Sequence, residues 1–216
     1  MAKALNLKWS DGNGKLKKTK TVSFNLPAFR SADGFEVCPM ASVCASLCYA
    51  RQGRYIMPDT VKAREFNLAI VRGELDAFVE LAIADLKRIR KTSIRVHDSG
   101  DFFSQAYLDA WFRIAAAFPE KNFYAYTKSL HLNWTAIPAN FQCVQSVGGK
   151  LDSHIDPSKS HSRIFATHDD RIAAGYYDGN ESDAPAQRGE QRIGLVYHGT
   201  FKLKRGQAIA LRQIGV

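Results

Sequence analysis

Hydrophobic and polar positions follow two different periods along the chain. Six short runs rich in β-branched or aromatic residues predict β-strands over 21–28, 93–98, 122–127, 141–147, 163–168 and 192–198. Between these runs, apolar residues recur every three or four positions and predict helices over 59–72, 74–90 and 105–117, with shorter helical pieces over 129–136 and 169–175. Ser104 stands where an N-cap belongs, and Pro119 follows the end of the same helix.

This alternation of strand and helix is typical of an α/β domain with a parallel sheet. Six units are too few for a closed eight-stranded barrel, so the pattern favours a partial (βα)6 TIM-like barrel, with a doubly wound sheet as the alternative. We expect one domain over 1–216, with residues 1–20 as a basic N-terminal extension and residues 176–191 as a loop. In either architecture, ligands bind in the loops that follow the carboxyl ends of the strands.

The composition and the N-terminal residues together predict the cellular compartment. Hydrophobic residues make up 45% of the 216 residues, enough for a sizeable core, and no apolar run approaches the roughly 18 residues that span a bilayer. The first twenty residues lack the apolar stretch of a secretory signal, so we expect a cytoplasmic protein that does not enter a membrane. Because thiols are kept reduced there, the four cysteines do not indicate a disulfide framework.

Three of the cysteines fall in one short segment after the first predicted strand. Cys38, Cys44 and Cys48 have the spacing C-x5-C-x3-C. Cys44 and Cys48 are four positions apart, which places both sulfurs on one face of a helical turn, and Pro39 bends the chain so that Cys38 approaches the same point. Three converging thiolates fit three corners of a [4Fe–4S] cube, so the segment predicts an iron–sulfur cluster.

Other interpretations of the cysteines stay open. Structural zinc sites usually combine closely spaced cysteine pairs into four protein ligands, and this segment offers three sulfurs at wider spacing. The three cysteines can also be small buried hydrophobes without a metal. Cys143, inside the strand predicted over 141–147, is a candidate fourth ligand if its face lines the site, although a lone cysteine in a strand usually belongs to the core.

Polar residues also follow the second and third predicted strands. In the segment HDSGD, Gly100 permits a tight turn and the close approach of a ligand to backbone amides, and Asp98 or Asp101 can accept hydrogen bonds from an amino or hydroxyl group. Taken singly, these residues also have ordinary roles as turn, cap, core or surface residues. The predicted cofactor-binding residues around the cluster are His97, Ser99, Gly100, Asp101, Tyr126 and Lys128.

Part of the net charge of +9 lies in two runs of the sequence. They are Lys15, Lys17, Lys18 and Lys20, and then Lys87, Arg88, Arg90, Lys91 and Arg95. Solvated lysines at a terminus and at a helix end explain such runs, and a nucleic-acid or acidic-partner surface is the alternative. No helix-turn-helix, zinc-finger or RNP motif supports nucleic-acid binding.

Three segments together resemble one known family, the phage "gene product 88" proteins of bacteriophages and some bacteria. They are CPMASVCASLCYA, RVHDSGDFFSQAYLDAW and FYAYTKS, and the resemblance covers about residues 20–150. It implies a viral or prophage origin and a role in the cytoplasm of the infected host.

A more distant similarity concerns architecture. Radical S-adenosylmethionine enzymes have a three-cysteine loop after the first strand of a partial barrel and hold the cofactor's amino group with a segment after the second strand; Ser99, Gly100 and Asp101 occupy that place here. The spacing departs from their usual C-x3-C-x2-C, and Tyr49 follows the third cysteine instead of preceding it.

The sequence therefore predicts a [4Fe–4S] protein that acts in electron transfer or in a cluster-dependent redox reaction, with a redox partner or a small-molecule substrate. If it is an enzyme, we expect a redox or radical S-adenosylmethionine type, with S-adenosylmethionine as a second cofactor. The alternative is a zinc-stabilised phage protein that binds nucleic acid or a host factor through its basic surface.

Overall fold

The computed structural model describes residues 6–12 and 14–197, and these residues form one sheet of eight strands. The strands are β1 (Trp9–Ser10), β2 (Thr21–Phe24), β3 (Ser93–Val96), β4 (Asn122–Thr127), β5 (Phe141–Ser146), β6 (His161–Phe165), β7 (Tyr177–Asp178) and β8 (Arg192–Val196). Their spatial order is β1-β2-β3-β4-β5-β6-β8-β7. Only the β1–β2 pair is antiparallel within the described sheet.

Seven α-helices accompany the sheet in the described part of the chain. They are α1 (Gly14–Lys18), α2 (Val43–Leu47), α3 (Pro58–Gly73), α4 (Leu75–Arg88), α5 (Gln105–Ala116), α6 (His168–Ala173) and α7 (Ala184–Gln187). Three short 3-10 turns cover Tyr49–Arg51, Gly53–Ile56 and Asp152–His154. None of the described helices is both long enough and apolar enough to cross a membrane.

The helix α5 shows how the apolar period and the cap determine an element. The hydroxyl of Ser104 accepts a hydrogen bond from the backbone N–H of Tyr107 (3.3 Å), as predicted for an N-cap. Tyr107, Leu108, Trp111 and Ile114 recur at helical spacing and are fully buried, so this stripe faces the sheet. Helix α4 repeats the pattern from Phe78 onward.

The main core lies between one face of the sheet and the helices α3, α4 and α5. Alternate residues of β2, β3 and β4 point to this face because the side chains of a strand alternate. At its centre the rings of Phe24, Phe78 and Trp111 have centroids 5.3 to 5.5 Å apart. The opposite face carries a smaller cluster around Tyr124, Val144 and Ile193, and this face borders the candidate site.

The α/β class and the parallel strands are confirmed, and each of the six predicted strands overlaps an observed one. The TIM-like barrel is not confirmed. The sheet is open, with β1 and β7 at its edges, and no ladder joins these two edges among the described residues. The end of the sixth predicted strand, residue 198, lies outside the described residues.

Three predicted segments differ from the structure. Residues 129–136 form turns instead of a helix. The expected loop over 176–191 contains β7 and α7. Within the expected N-terminal extension, Leu7 and Leu16 are buried, and the Asp85 carboxylate accepts hydrogen bonds from Leu7 N and Trp9 Nε1, both at 3.0 Å. This part of the extension is therefore packed onto the domain.

Candidate functional site

Loops that follow β2, β3, β4 and β5 are tied together at the carboxyl edge of the sheet. Leu26 N donates to the carbonyl of Ser99 (3.0 Å), and the Ser99 hydroxyl donates to the carbonyl of Leu26 (2.7 Å). Cys44 N donates to the carbonyl of Gly148 in the loop after β5 (3.2 Å). These bonds fix the cysteine segment against the neighbouring loops, as the rule for parallel sheets leads one to expect.

The three cysteines enter this edge at different points of one long connection between β2 and α3. Cys38 follows Val37, and its N–H donates to the carbonyl of Phe29 (3.1 Å). Cys44 lies in α2, and Cys48 is the residue after the end of that helix. Cys44 is therefore helical as predicted, whereas Cys48 is the extended residue that caps the helix, so the two cysteines do not share one helical turn.

Cys38, Cys44 and Cys48 line one cavity of about 130 Å³, here called the cysteine cavity. All six predicted cofactor-binding residues line it too: His97, Ser99, Gly100, Asp101, Tyr126 and Lys128. Apolar wall comes from Leu47, Ile164 and Leu195. The structure thus brings nine of the ten predicted site residues together.

Cys143, the tenth, is not among the residues that line the cysteine cavity. In the β4–β5 ladder it stands beside Ala125, a residue of the main core, whereas Tyr126 stands beside Val144. Because side chains alternate along a strand, Cys143 points to the helix-covered face and Val144 to the face of the cavity. The residues that hold a cluster would therefore be the other three cysteines.

Burial keeps the thiols of Cys38 and Cys48 protonated in the bare protein. It raises the pKa of Cys38 well above its ordinary value, with further contributions from Asp101 and the two other cysteines. It also raises the pKa of Cys48 to about 11. Burial raises the pKa of Cys143 to about 12. Metal binding to these thiols would release protons, since the thiolate is the ligand.

No group of three or more His, Cys, Asp or Glu side chains within 6–12 and 14–197 is placed to hold a single metal ion. A tetrahedral zinc ion with Zn–S bonds near 2.3 Å would need sulfurs about 3.8 Å apart. In a [4Fe–4S] cube each thiolate binds a different iron, so its sulfurs stand further apart.

Lys128 adds a buried positive charge to the same cavity. The residue is 8% exposed, and its Nζ donates to the Ser146 hydroxyl at 2.6 Å. No carboxylate lies within ion-pair distance of this ammonium among the described residues. The charge of Lys128 lowers the pKa of Cys48 against the larger effect of burial. It is suited to balance negative charge on the sulfurs.

In the segment after β3, Gly100 and Asp101 each have a structural role. Gly100 has φ +95°, and a Cβ there would lie 2.7 Å from Leu26 Cβ, so only glycine fits. The Asp101 carboxylate accepts hydrogen bonds from the Thr127 hydroxyl (2.6 Å), Lys128 N (2.9 Å) and Phe102 N (2.8 Å). Asp101 therefore positions the β4 loop rather than presenting free oxygens to a ligand.

His97 borders the cavity in a left-handed conformation, φ 70°, which is uncommon for a residue other than glycine. Its ring packs against Phe102, Tyr107 and Trp111, and Nε2 is 2.8 Å from the Tyr107 hydroxyl. Burial, with the charge of Arg95, lowers the pKa of His97 to about 3. The imidazole is therefore neutral at physiological pH.

A second cavity of about 160 Å³, here called the inner cavity, adjoins the first. Both are lined by Leu47, Tyr49, Arg95, Asp98, Ile164 and Leu195. Arg95 and its partner Asp183 were not predicted from the sequence as residues of the site. An arginine between Ile94 and Val96 inside a short strand was the available signal, because alternation directs it away from the helices.

The two basic runs of the sequence divide between surface and interior. Lys17, Lys18 and Lys20 are exposed, as are Lys87, Arg88 and Arg90. Lys15 and Arg95 are instead mostly buried and both pair with Asp183, at 2.6 and 2.8 Å. The exposed members lie before β2 and β3, at the opposite end of the strands from the cysteines.

These features define an α/β protein with three cysteines at the carboxyl edge of an open, mainly parallel sheet. Residues 4–210 match the family model described as Gene product 88, and the chain belongs to this family. The resemblance read from the sequence is thereby confirmed.

Two curated relatives come from mycobacteriophages. The Gene 88 protein of Mycobacterium phage D29 is 30% identical over 152 residues, covering 59% of this chain and 62% of the relative. The Gene 88 protein of Mycobacterium phage L5 is 31% identical over 116 residues, covering 49% of this chain and 47% of the relative. The chain thus spans about half to three fifths of the length of these relatives.

No solved structure matches the chain significantly. The more distant similarity to radical S-adenosylmethionine enzymes has no support from these comparisons.

Proposed function

We propose that this protein binds a [4Fe–4S] cluster through Cys38, Cys44 and Cys48 and acts in electron transfer or in a cluster-dependent redox reaction. The observation that carries the proposal is that these three cysteines line one cavity together with the buried ammonium of Lys128, which forms no ion pair with any carboxylate in the described part of the chain. The cluster would supply one-electron chemistry.

The residues around the sulfurs would tune such a group. Lys128 opposes its negative charge, and the apolar side chains of Leu47, Ile164 and Leu195 limit the access of water. Asp101 holds Lys128 in place through the backbone N–H of that lysine. Tyr126 and His97 complete the wall.

Anaerobic purification followed by iron and sulfide analysis tests the proposal. We expect a brown protein with about four irons and four sulfides per chain. Cys38→Ala, Cys44→Ala and Cys48→Ala should each lose most of the iron. Cys143→Ala is the matched control and should keep it, because Cys143 faces the helices. A colourless protein, or iron retained in all three loop variants, would contradict the proposal.

Radical S-adenosylmethionine chemistry is a special case, because it needs one iron of the cluster without a protein ligand. Ligation by three cysteines leaves one such iron. Ser99 and Asp101, which that similarity assigns to the cofactor's amino group, already bond within the protein. Adding S-adenosylmethionine to the reduced protein and recording the electron paramagnetic resonance spectrum tests this case. An unchanged spectrum counts against it.

The second candidate is a zinc-stabilised protein that binds nucleic acid or a host factor through its basic surface. The ladder pairs Thr21 with Ser93 and Ser93 with Asn122, so Lys20, Lys91 and Lys121 come from adjacent strand starts. Binding to DNA that weakens steeply with salt, together with one zinc per chain, would favour this candidate.

A further inference from the structure

The inner cavity adjoins the cysteine cavity and combines an apolar and a charged lining. Leu47, Ile164 and Leu195 form an apolar wall, and Arg95 and Asp98 contribute charged groups of opposite sign. A lining of this kind is typical of sites that hold a small organic molecule by its apolar body and orient it by a few hydrogen bonds.

Each charged side chain of this lining already has an oppositely charged partner. Lys15 and Arg95 pair with Asp183, at 2.6 and 2.8 Å, and Asp98 lies 3.5 Å from Arg64. All five side chains are mostly buried. A ligand with a net charge would have to lose its water and then compete with these pairs, whereas an uncharged ligand leaves them intact. The lining therefore favours an uncharged ligand.

The two charged groups nevertheless keep hydrogen-bonding capacity. Arg95 uses Nη1 for Asp183 (2.8 Å) and Nε for the carbonyl of His97 (3.3 Å), while its Nη2 donates to no described residue. Oδ1 of Asp98 is buried and accepts no hydrogen bond from the described residues, although Arg64 lies 3.5 Å away. One donor and one acceptor of the same small cavity would thus each gain from a ligand group, because a buried polar atom without a partner is costly.

We propose that the inner cavity binds a small uncharged molecule through a carboxamide group. The carbonyl oxygen of the amide would accept a hydrogen bond from Arg95 Nη2, and its N–H would donate to the carboxylate of Asp98. The apolar body would lie along Leu47, Ile164 and Leu195. A carboxamide has a donor and an acceptor side by side without a net charge, whereas a carboxylate only accepts and an ammonium only donates. This inference goes beyond cluster binding and does not depend on it.

The test is a calorimetric titration of the full chain, purified anaerobically, with hexanamide, hexanoate and hexylamine. The three probes have hydrocarbon chains of similar length and differ in the head group. We expect hexanamide to bind and to raise the melting temperature. The two charged probes should bind at least about ten-fold more weakly, because each leaves one of the two polar groups without a partner. Absence of hexanamide binding, or a charged probe that binds less than about ten-fold more weakly, would overturn the proposal.

Asp98→Asn tests the role of the carboxylate. The variant keeps the shape of the side chain, weakens the acceptor and removes the negative charge beside Arg64 and Arg95. Hexanamide binding should weaken about ten-fold or more, and hexanoate binding should become tighter than in the wild type. Asp76→Asn, which removes an exposed carboxylate paired with Arg113, is the matched control and should bind all three probes as the wild type does. Unchanged hexanamide binding in Asp98→Asn would overturn the assignment of Asp98.

A second variant keeps the proposal testable if Asp98→Asn does not fold. Leu195→Phe adds volume to the apolar wall, so it should weaken hexanamide binding without removing an ion pair. Hexanamide binding unaffected by Leu195→Phe would overturn the placement of the ligand in the inner cavity. Iron and sulfide, measured on the same samples, report separately on the cluster.

Discussion

The buried histidine at the end of β3 gives the protein a specific sensitivity to acid. His97 is 2% exposed, and burial lowers its pKa to about 3. In the unfolded chain the pKa returns to about 6.5. The unfolded state therefore takes up a proton as the pH falls below about 6.5, whereas the native imidazole stays neutral down to about pH 3. The stabilising contribution is complete above pH 6.5 and decreases as the pH falls toward 3.

The size of this loss of stability follows from the difference between the pKa of His97 in the native and in the unfolded state. Each pH unit below about 6.5 reduces the free energy of unfolding by about 1.4 kcal/mol for one such group. Between about pH 7 and pH 5 the loss due to His97 is about 2 kcal/mol. Substitution by asparagine removes the titrating ring and keeps a side chain that tolerates the left-handed φ of 70°.

Urea unfolding of the wild type and of His97→Asn at both pH values measures the effect, with both proteins metal-free after chelation. The loss of unfolding free energy between about pH 7 and pH 5 should be about 2 kcal/mol smaller in the variant. His131→Asn is the control, because His131 is exposed and should leave the pH profile as in the wild type. If His97→Asn loses as much stability on acidification as the wild type, the reasoning is wrong.

Three further predictions test other parts of the structure. Gly100→Ala should lower the free energy of unfolding by at least about 2 kcal/mol in urea titrations, because a Cβ there has both an unfavourable φ and a close contact with Leu26; an unchanged midpoint would refute this. Asp183→Asn should cost about 3–5 kcal/mol, since it removes the buried carboxylate that Lys15 and Arg95 share. Asp76→Asn, which breaks an exposed pair, should change stability little, and equal effects of the two substitutions would contradict the assigned burial. The affinity for iron, measured by competition with a chelator, should rise at least about ten-fold per pH unit near neutrality. The reason is that burial raises the pKa of Cys48 to about 11, so binding must release the proton of this thiol. An affinity that does not change with pH would exclude thiolate ligation.

The sequence predicts best those elements that are long enough to show an apolar periodicity or that begin and end at recognisable residues. The helix α5 carries a continuous apolar stripe, an N-cap at Ser104 and a following proline, and its observed bounds agree with the prediction. The strands β1 and β7 contain two residues each, so no alternation exists for a pattern to reveal. Their places at the sheet edges are set by contacts with remote parts of the chain, as for the β1–β2 pair.

The candidate site also combines features that the sequence predicts with features that it does not. The spacing of the cysteines and the rule that ligands bind at the carboxyl ends of parallel strands were enough to predict that the cysteine loop, the segment after β3 and the start of the β4 loop meet. The pairing of Arg95 with Asp183 joins residues 88 positions apart, and Asp183 lies in a segment without periodicity. The face of Cys143 depends on strand register, which is also a property of the assembled sheet.

The anchoring of the cysteine loop to the loop after β5 has a consequence for biosynthesis. Lys150 Nζ donates to the carbonyl of Pro39, a contact between residues 111 positions apart in the chain. On the ribosome, the three thiols are made long before the strand that holds their loop emerges. The proposed cluster could therefore be assembled in its complete cavity only after translation has passed this lysine. A nascent chain stalled earlier would present three unprotected, oxidisable thiols.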